Sequence, residues 1–110
     1  APIKSQWDTS FTQTEGETVA EGIAIAKPAR AEQMLEAIKE TGGDVITVTD
    51  AETLTALKKI AKKGFYVEPT SATALAAVSH YKNEEHERIV VPLTGHGLKA
   101  TEKMLKAIDQ

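Results

Sequence analysis

The sequence predicts an α/β fold: three layers, with a parallel sheet flanked by helices. Three observations carry this expectation. Short runs of β-branched or aromatic residues at 44–48, 65–67 and 89–93 alternate with longer segments of helical periodicity. The connections are short, and short alternation implies right-handed crossovers between parallel strands. The last run, Ile89-Val-Val-Pro-Leu93, is apolar throughout, as a strand buried on both faces would be. Three short strands make a small sheet whose edges need partners, which points to part of a larger α/β body.

The first segment, 1–17, reads as irregular, with Ile3, Trp7 and Phe11 as its large apolar residues. The α/β portion is expected over 18–110. Thr18 to Ala26 is small and apolar on most sides and reads as a short buried helix, weakened by Gly22 by about 1 kcal/mol. Lys27-Pro28 ends it, and Pro28 suits the first turn of the next helix. There Ala31, Met34, Leu35 and Ile38 form one apolar face. Gly42-Gly43 supplies a left-handed stop, and Asp44–Val48 follows as a strand.

Thr49-Asp-Ala-Glu52 is a capping box: the Thr49 hydroxyl accepts from the Glu52 amide while the Glu52 carboxylate reaches back to Thr49. The helix it opens turns Leu54, Leu57, Ile60 and Ala61 inward. Lys58, Lys59, Lys62 and Lys63 complement its C-terminal dipole, and Gly64 ends it. Phe65–Val67 is a very short strand. An alanine-rich helix follows Glu68-Pro69, with Thr70 or Ser71 as its cap. After a charged loop and the third strand, Thr94-Gly-His-Gly97 makes a tight turn into a last helix carrying Met104, Leu105 and Ile108 on one side.

Bulk composition narrows the function. The chain has 110 residues, 41% of them hydrophobic, with a net charge of −3 and no cysteine. That describes a globular domain, without disulfides or thiolate metal sites, suited to a reducing cytoplasm. The acidic balance argues against a nucleic-acid partner, and no apolar run is long enough to span a membrane. The histidines show no metal-ligand spacing. His80 and His86 read as solvated.

The strand, glycine turn and helix at the end of the chain is where a parallel sheet places ligands. Thr94 brings a hydroxyl to that point, and Gly95 and Gly97 let a flat ligand approach the backbone. Thr94 could equally cap the last helix. Glu68 stands at another strand end, able to face a ligand crevice or to serve as a helix N-terminal acid. His96 either faces the ligand or packs in the turn.

Leu93-Thr-Gly-His-Gly-Leu-Lys99 resembles the closing motif of threonine synthases, pyridoxal-phosphate (PLP) enzymes of the fold-type II, or tryptophan synthase β, group. Gly64-Phe-Tyr-Val-Glu-Pro-Thr-Ser-Ala72 is similar to their Glu-Pro-x-Ser-Ala segment, and Thr18-Val-Ala-Glu-Gly-Ile23 to their Thr-x-Ala-x-x-Ile helix start. The Gly-Gly, strand, Thr-Asp-Ala-Glu passage falls in register. The resemblance covers Thr18 to Lys99. It implies part of the large domain of a fold-type II enzyme, at the C-terminal end. The family's cofactor-linking lysine, its asparagine loop and its glycine-rich phosphate loop lie upstream of the matched segments. No catalytic residue is therefore expected in this chain.

The cofactor-binding residues implied are Thr94, Gly95, Glu68 and His96. Thr94 would face the cofactor's pyridine nitrogen. A neutral hydroxyl donates to an unprotonated nitrogen, whereas a carboxylate would hold it protonated. The parent reaction implied is conversion of O-phosphohomoserine and water to threonine and phosphate. The parent would be a cytoplasmic homodimer, and this chain's partners would be the rest of that enzyme and an amino-acid phosphate substrate. The chain alone is expected to be inactive and to bind PLP weakly or not at all. Two alternatives stay open: the same portion of a serine/threonine dehydratase or cysteate synthase, or a free-standing non-catalytic α/β ligand-binding module.

Overall fold

The computed structural model describes residues 16–82, 84–85, 87–100, 102, 105–106 and 109. Ile3, Trp7, Phe11, His86, Met104 and Ile108 lie outside them. The element order is a 3-10 turn at Glu21–Ile23, then helices α1 (Ala31–Thr41), α2 (Asp50–Lys62) and α3 (Pro69–Ala77). Further 3-10 turns follow at Val78–His80 and Gly97–Ala100. Glu102, Leu105 and Lys106 are helical, in keeping with a last helix.

Local chemistry sets the helix ends. Gly42 adopts a left-handed φ of 64° and its N–H bonds the carbonyls of Ile38 and Lys39, so it stops α1 as expected. Thr49 and Glu52 form the full capping box at the start of α2. Gly64 takes φ 92° just past its end. Pro69 stands in the first turn of α3, where a missing N–H costs nothing.

The core is the α2–α3 interface. Leu57, Val67 and Ala72 are buried together, with Leu54, Ile60 and Tyr66 packed partly against them. Thr53 is buried beside them and returns its hydroxyl proton to the Thr49 carbonyl at 3.1 Å. The alanines of α3 let the two helices approach closely.

The structure departs from the sequence expectations in several places. The predicted three-layer parallel sheet is not formed among the described residues: 44–48 and 89–93 run without strand pairing. Among the described residues the β-pairing is one isolated bridge between Val67 and His96, and it is antiparallel. A β-branched run has the right intrinsic shape for a strand, but its backbone bonds must come from a neighbouring strand. Among the described residues these runs have no such neighbour, and Val90 is left 86% exposed.

Thr18–Ala26 is not a buried helix. It makes a 3-10 turn with none of its three residues buried, although Ala20 just before it is. Tertiary bonds hold it instead. Asp50 takes the Thr18 hydroxyl at 2.6 Å and the Val19 N–H at 3.1 Å, and Thr70 takes the Gly22 N–H at 3.1 Å.

Helix α1 begins at Ala31, because Pro28–Arg30 is spent on a turn closed by the Ala31 N–H on the Pro28 carbonyl. Its apolar face is only half covered, and Met34 is exposed. The cap of α3 is Glu68, through its extended backbone and without a side-chain bond, rather than Thr70 or Ser71. Both of those hydroxyls are engaged elsewhere.

Candidate functional site

Two stretches far apart in sequence, Tyr66–Glu68 and Thr94–Gly97, meet at the N-terminal end of α3. Around the Val67–His96 bridge, the Glu68 N–H donates to the Gly95 carbonyl at 3.1 Å and the Gly97 N–H to the Tyr66 carbonyl at 3.0 Å. These bonds hold the glycine turn against the first turn of α3. A cleft of ≈ 470 Å³ opens here, lined by 64–67 and 93–96.

Each expected site residue can be placed. Thr94 is exposed at the turn. Its N–H and that of Gly95 both donate to Ser71 Oγ, at 3.1 and 3.2 Å, and its own hydroxyl lies 3.2 Å from the same oxygen. Gly95 is buried, and a Cβ there would overlap the Glu68 carboxylate. Glu68 is half-buried with its carboxylate lying against that glycine.

His96 is exposed, and its ring meets Tyr66 edge-on with centroids 5.4 Å apart. The Leu98 N–H donates to His96 Nδ1 at 3.1 Å. An imidazole that accepts at Nδ1 carries its proton on Nε2 when neutral. Thr94, Gly95, Glu68 and His96 are thus brought together, Thr94 through Ser71 of α3, and Glu68 and His96 through the isolated bridge and its flanking backbone bonds.

Sequence reading missed two contributors. Ser71 is buried at 2% exposure and organises the turn from below. The available signal was its place in the Glu-Pro-Thr-Ser-Ala string. Tyr66 packs under Gly97, where a Cβ would come within 2.7 Å of its ring.

His80 is not merely solvated: its Nε2 lies 2.6 Å from Glu52 Oε1 and ties the end of α3 to the start of α2. Glu52 is held below its ordinary value of 4.5, chiefly by the Thr49 backbone N–H, then by the Thr49 hydroxyl and His80. Among the described residues no group of three or more His, Cys, Asp or Glu could hold a metal ion, and no helix is long and apolar enough to cross a membrane.

The model of the pyridoxal-phosphate dependent enzyme family matches residues 1–95. The threonine synthase of Methanocaldococcus jannaschii is 39% identical over 99 residues, which is 86% of this chain and 24% of that protein. That of Methanosarcina acetivorans is 34% identical over 113 residues, covering 98% of this chain and 28% of its own length. That of Bacillus sp. strain ULM1 is 38% identical over 90 residues, or 77% of this chain and 26% of its own. The chain spans about a quarter of the length of these relatives. With a family model matched over most of its length, the chain belongs to the pyridoxal-phosphate-dependent enzymes.

Proposed function

We propose that this chain is the C-terminal portion of a threonine synthase and forms the wall of its PLP pocket that meets the cofactor's ring nitrogen. The parent reaction on this reading takes O-phosphohomoserine and water to threonine and phosphate. The observation that carries it is the Thr94 hydroxyl, exposed at a glycine turn whose amides are tied to the buried Ser71. The similarity to threonine synthases supports the choice of reaction.

The residues present suit the cofactor. Gly95 and Gly97 admit the Glu68 carboxylate and the Tyr66 ring against the turn, and Thr94 offers a neutral hydroxyl on its exposed side, beside a cleft of ≈ 470 Å³. When bound, PLP supplies an electron-withdrawing ring conjugated to the substrate carbon. Thr94 donates a hydrogen bond to the ring nitrogen, so the nitrogen is held without a proton. Gly95 lets the Glu68 carboxylate lie directly against the turn. His96 is exposed, and its neutral ring carries its proton on Nε2.

The exposed runs at 44–48 and 89–93 find their strand partners in the remainder of the enzyme and complete the three-layer parallel sheet there. The same reading carries a cytoplasmic homodimer, and a segment that is inactive without the rest of the polypeptide.

The test is kinetic. In a full-length enzyme carrying this segment, phosphate release from O-phosphohomoserine is measured with and without Thr94→Ala. Loss of the hydrogen bond lowers turnover by roughly 10- to 100-fold, the factor expected for an unpaired acceptor in a dry site, while Thr94→Ser retains most of it. No phosphate release by the unsubstituted enzyme would remove the reaction. Unchanged kinetics in Thr94→Ala would remove Thr94 from the pocket.

A further inference from the structure

The Ser71 hydroxyl has three neighbours on the glycine turn: the N–H groups of Thr94 and Gly95, at 3.1 and 3.2 Å, and Thr94 Oγ1 at 3.2 Å. A serine hydroxyl has two lone pairs and one proton. Two amide donors fill both lone pairs. The proton that remains is left with Thr94 Oγ1 as its partner. Thr94 therefore accepts from Ser71 and cannot donate to it, and its own proton is left for the open side of the turn.

A hydroxyl that accepts one hydrogen bond also donates a stronger one, because each bond polarises the next. Ser71 is 2% exposed, so water does not compete for these bonds.

We propose that Ser71 is a positioning residue that sets the polarity of Thr94, turning its hydroxyl into an outward donor that selects a ligand presenting a bare acceptor atom. This rests on the reading of Thr94 as the partner of the cofactor's ring nitrogen. Ser71 does not touch the ligand. It acts through Thr94, by saturating itself with backbone amides.

The test uses a full-length enzyme carrying this segment and compares half-saturation by PLP with that by its 1-deaza analogue, in which carbon replaces the ring nitrogen. The unsubstituted enzyme prefers PLP by about tenfold or more, the worth of one buried hydrogen bond. In Ser71→Ala that preference falls to about threefold or less, because the Thr94 hydroxyl is free to turn. A purely structural role would weaken both ligands by the same factor and leave the ratio unchanged, and that result overturns the proposal. If Ser71→Ala does not fold, the nearly isosteric Ser71→Cys, a poor donor and acceptor, is read in the same way. No preference in the unsubstituted enzyme would instead show that Thr94 does not meet the ring nitrogen, and the proposal falls with that reading.

Discussion

The Tyr66 ring occupies the space into which a side chain at Gly97 would grow. An ideal Cβ on Gly97 would stand 2.7 Å from Tyr66 Cε1 and 2.8 Å from Cδ1. The Tyr66 carbonyl accepts the Gly97 N–H at 3.0 Å, and the same ring meets His96 edge-on. Ring and backbone are thus both committed, and the glycine is what lets the turn lie this close.

Gly97→Ala is therefore expected to destabilise the chain by about 1–3 kcal/mol, the cost of overpacking a settled contact. Gly95→Ala differs, because its Cβ would meet the Glu68 carboxylate, the end of a flexible side chain. Adding Glu68→Ala should restore most of what Gly95→Ala loses, whereas it should do nothing for Gly97→Ala. Urea unfolding of the four variants checks this, and equal responses to Glu68→Ala would contradict it.

Thr49→Ala should cost about 1 kcal/mol, the usual worth of an N-cap hydroxyl. The Glu52 N–H would lose its acceptor at 3.2 Å, and the returning bond from the Thr49 N–H to Glu52, at 2.7 Å, would lose the partner that orients it. Helix content by circular dichroism and the urea midpoint should fall together. Thr49→Ser should keep both near the parent values.

The Glu52 carboxylate makes acid stability depend on pH in a defined direction. Its folded value lies below its ordinary 4.5, first because of the Thr49 backbone N–H. As pH falls, the unfolded chain takes up this proton before the folded one does. The contribution is complete above the unfolded value and is lost as pH drops through the folded one. Glu52→Gln should flatten the urea midpoint against pH from about 4.5 downward. A profile parallel to that of the parent would show that the Thr49 and His80 bonds to Glu52 do not act on stability.

Features confined to one turn of chain were legible in the residues. The Thr49–Glu52 box, the left-handed Gly42 and the proline at the head of α3 involve partners within four positions, so their spacing is their geometry. The closing motif and the Glu-Pro-Thr-Ser-Ala string likewise stood in the sequence, and their gathering into one site followed from recognising them together.

The strands were not legible in the same way. Asp44–Val48 and Ile89–Leu93 have the composition of strands, but pairing is a property of two segments side by side. Thr18–Ala26 looked helical by composition, yet Asp50 and Thr70, more than 30 positions away, hold its backbone in a turn.

By itself the sequence determined the Gly42 stop of α1, the Thr49–Glu52 start of α2 and which hydroxyl and carboxylate stand at the turn, because those depend on near neighbours. Only the tertiary structure decided that Ser71 lies beneath Thr94, 23 positions along the chain, and that His80 bonds Glu52. Such contacts arise from how α3 packs against α2 and against the glycine turn, and no periodicity in the chain encodes the distance between them.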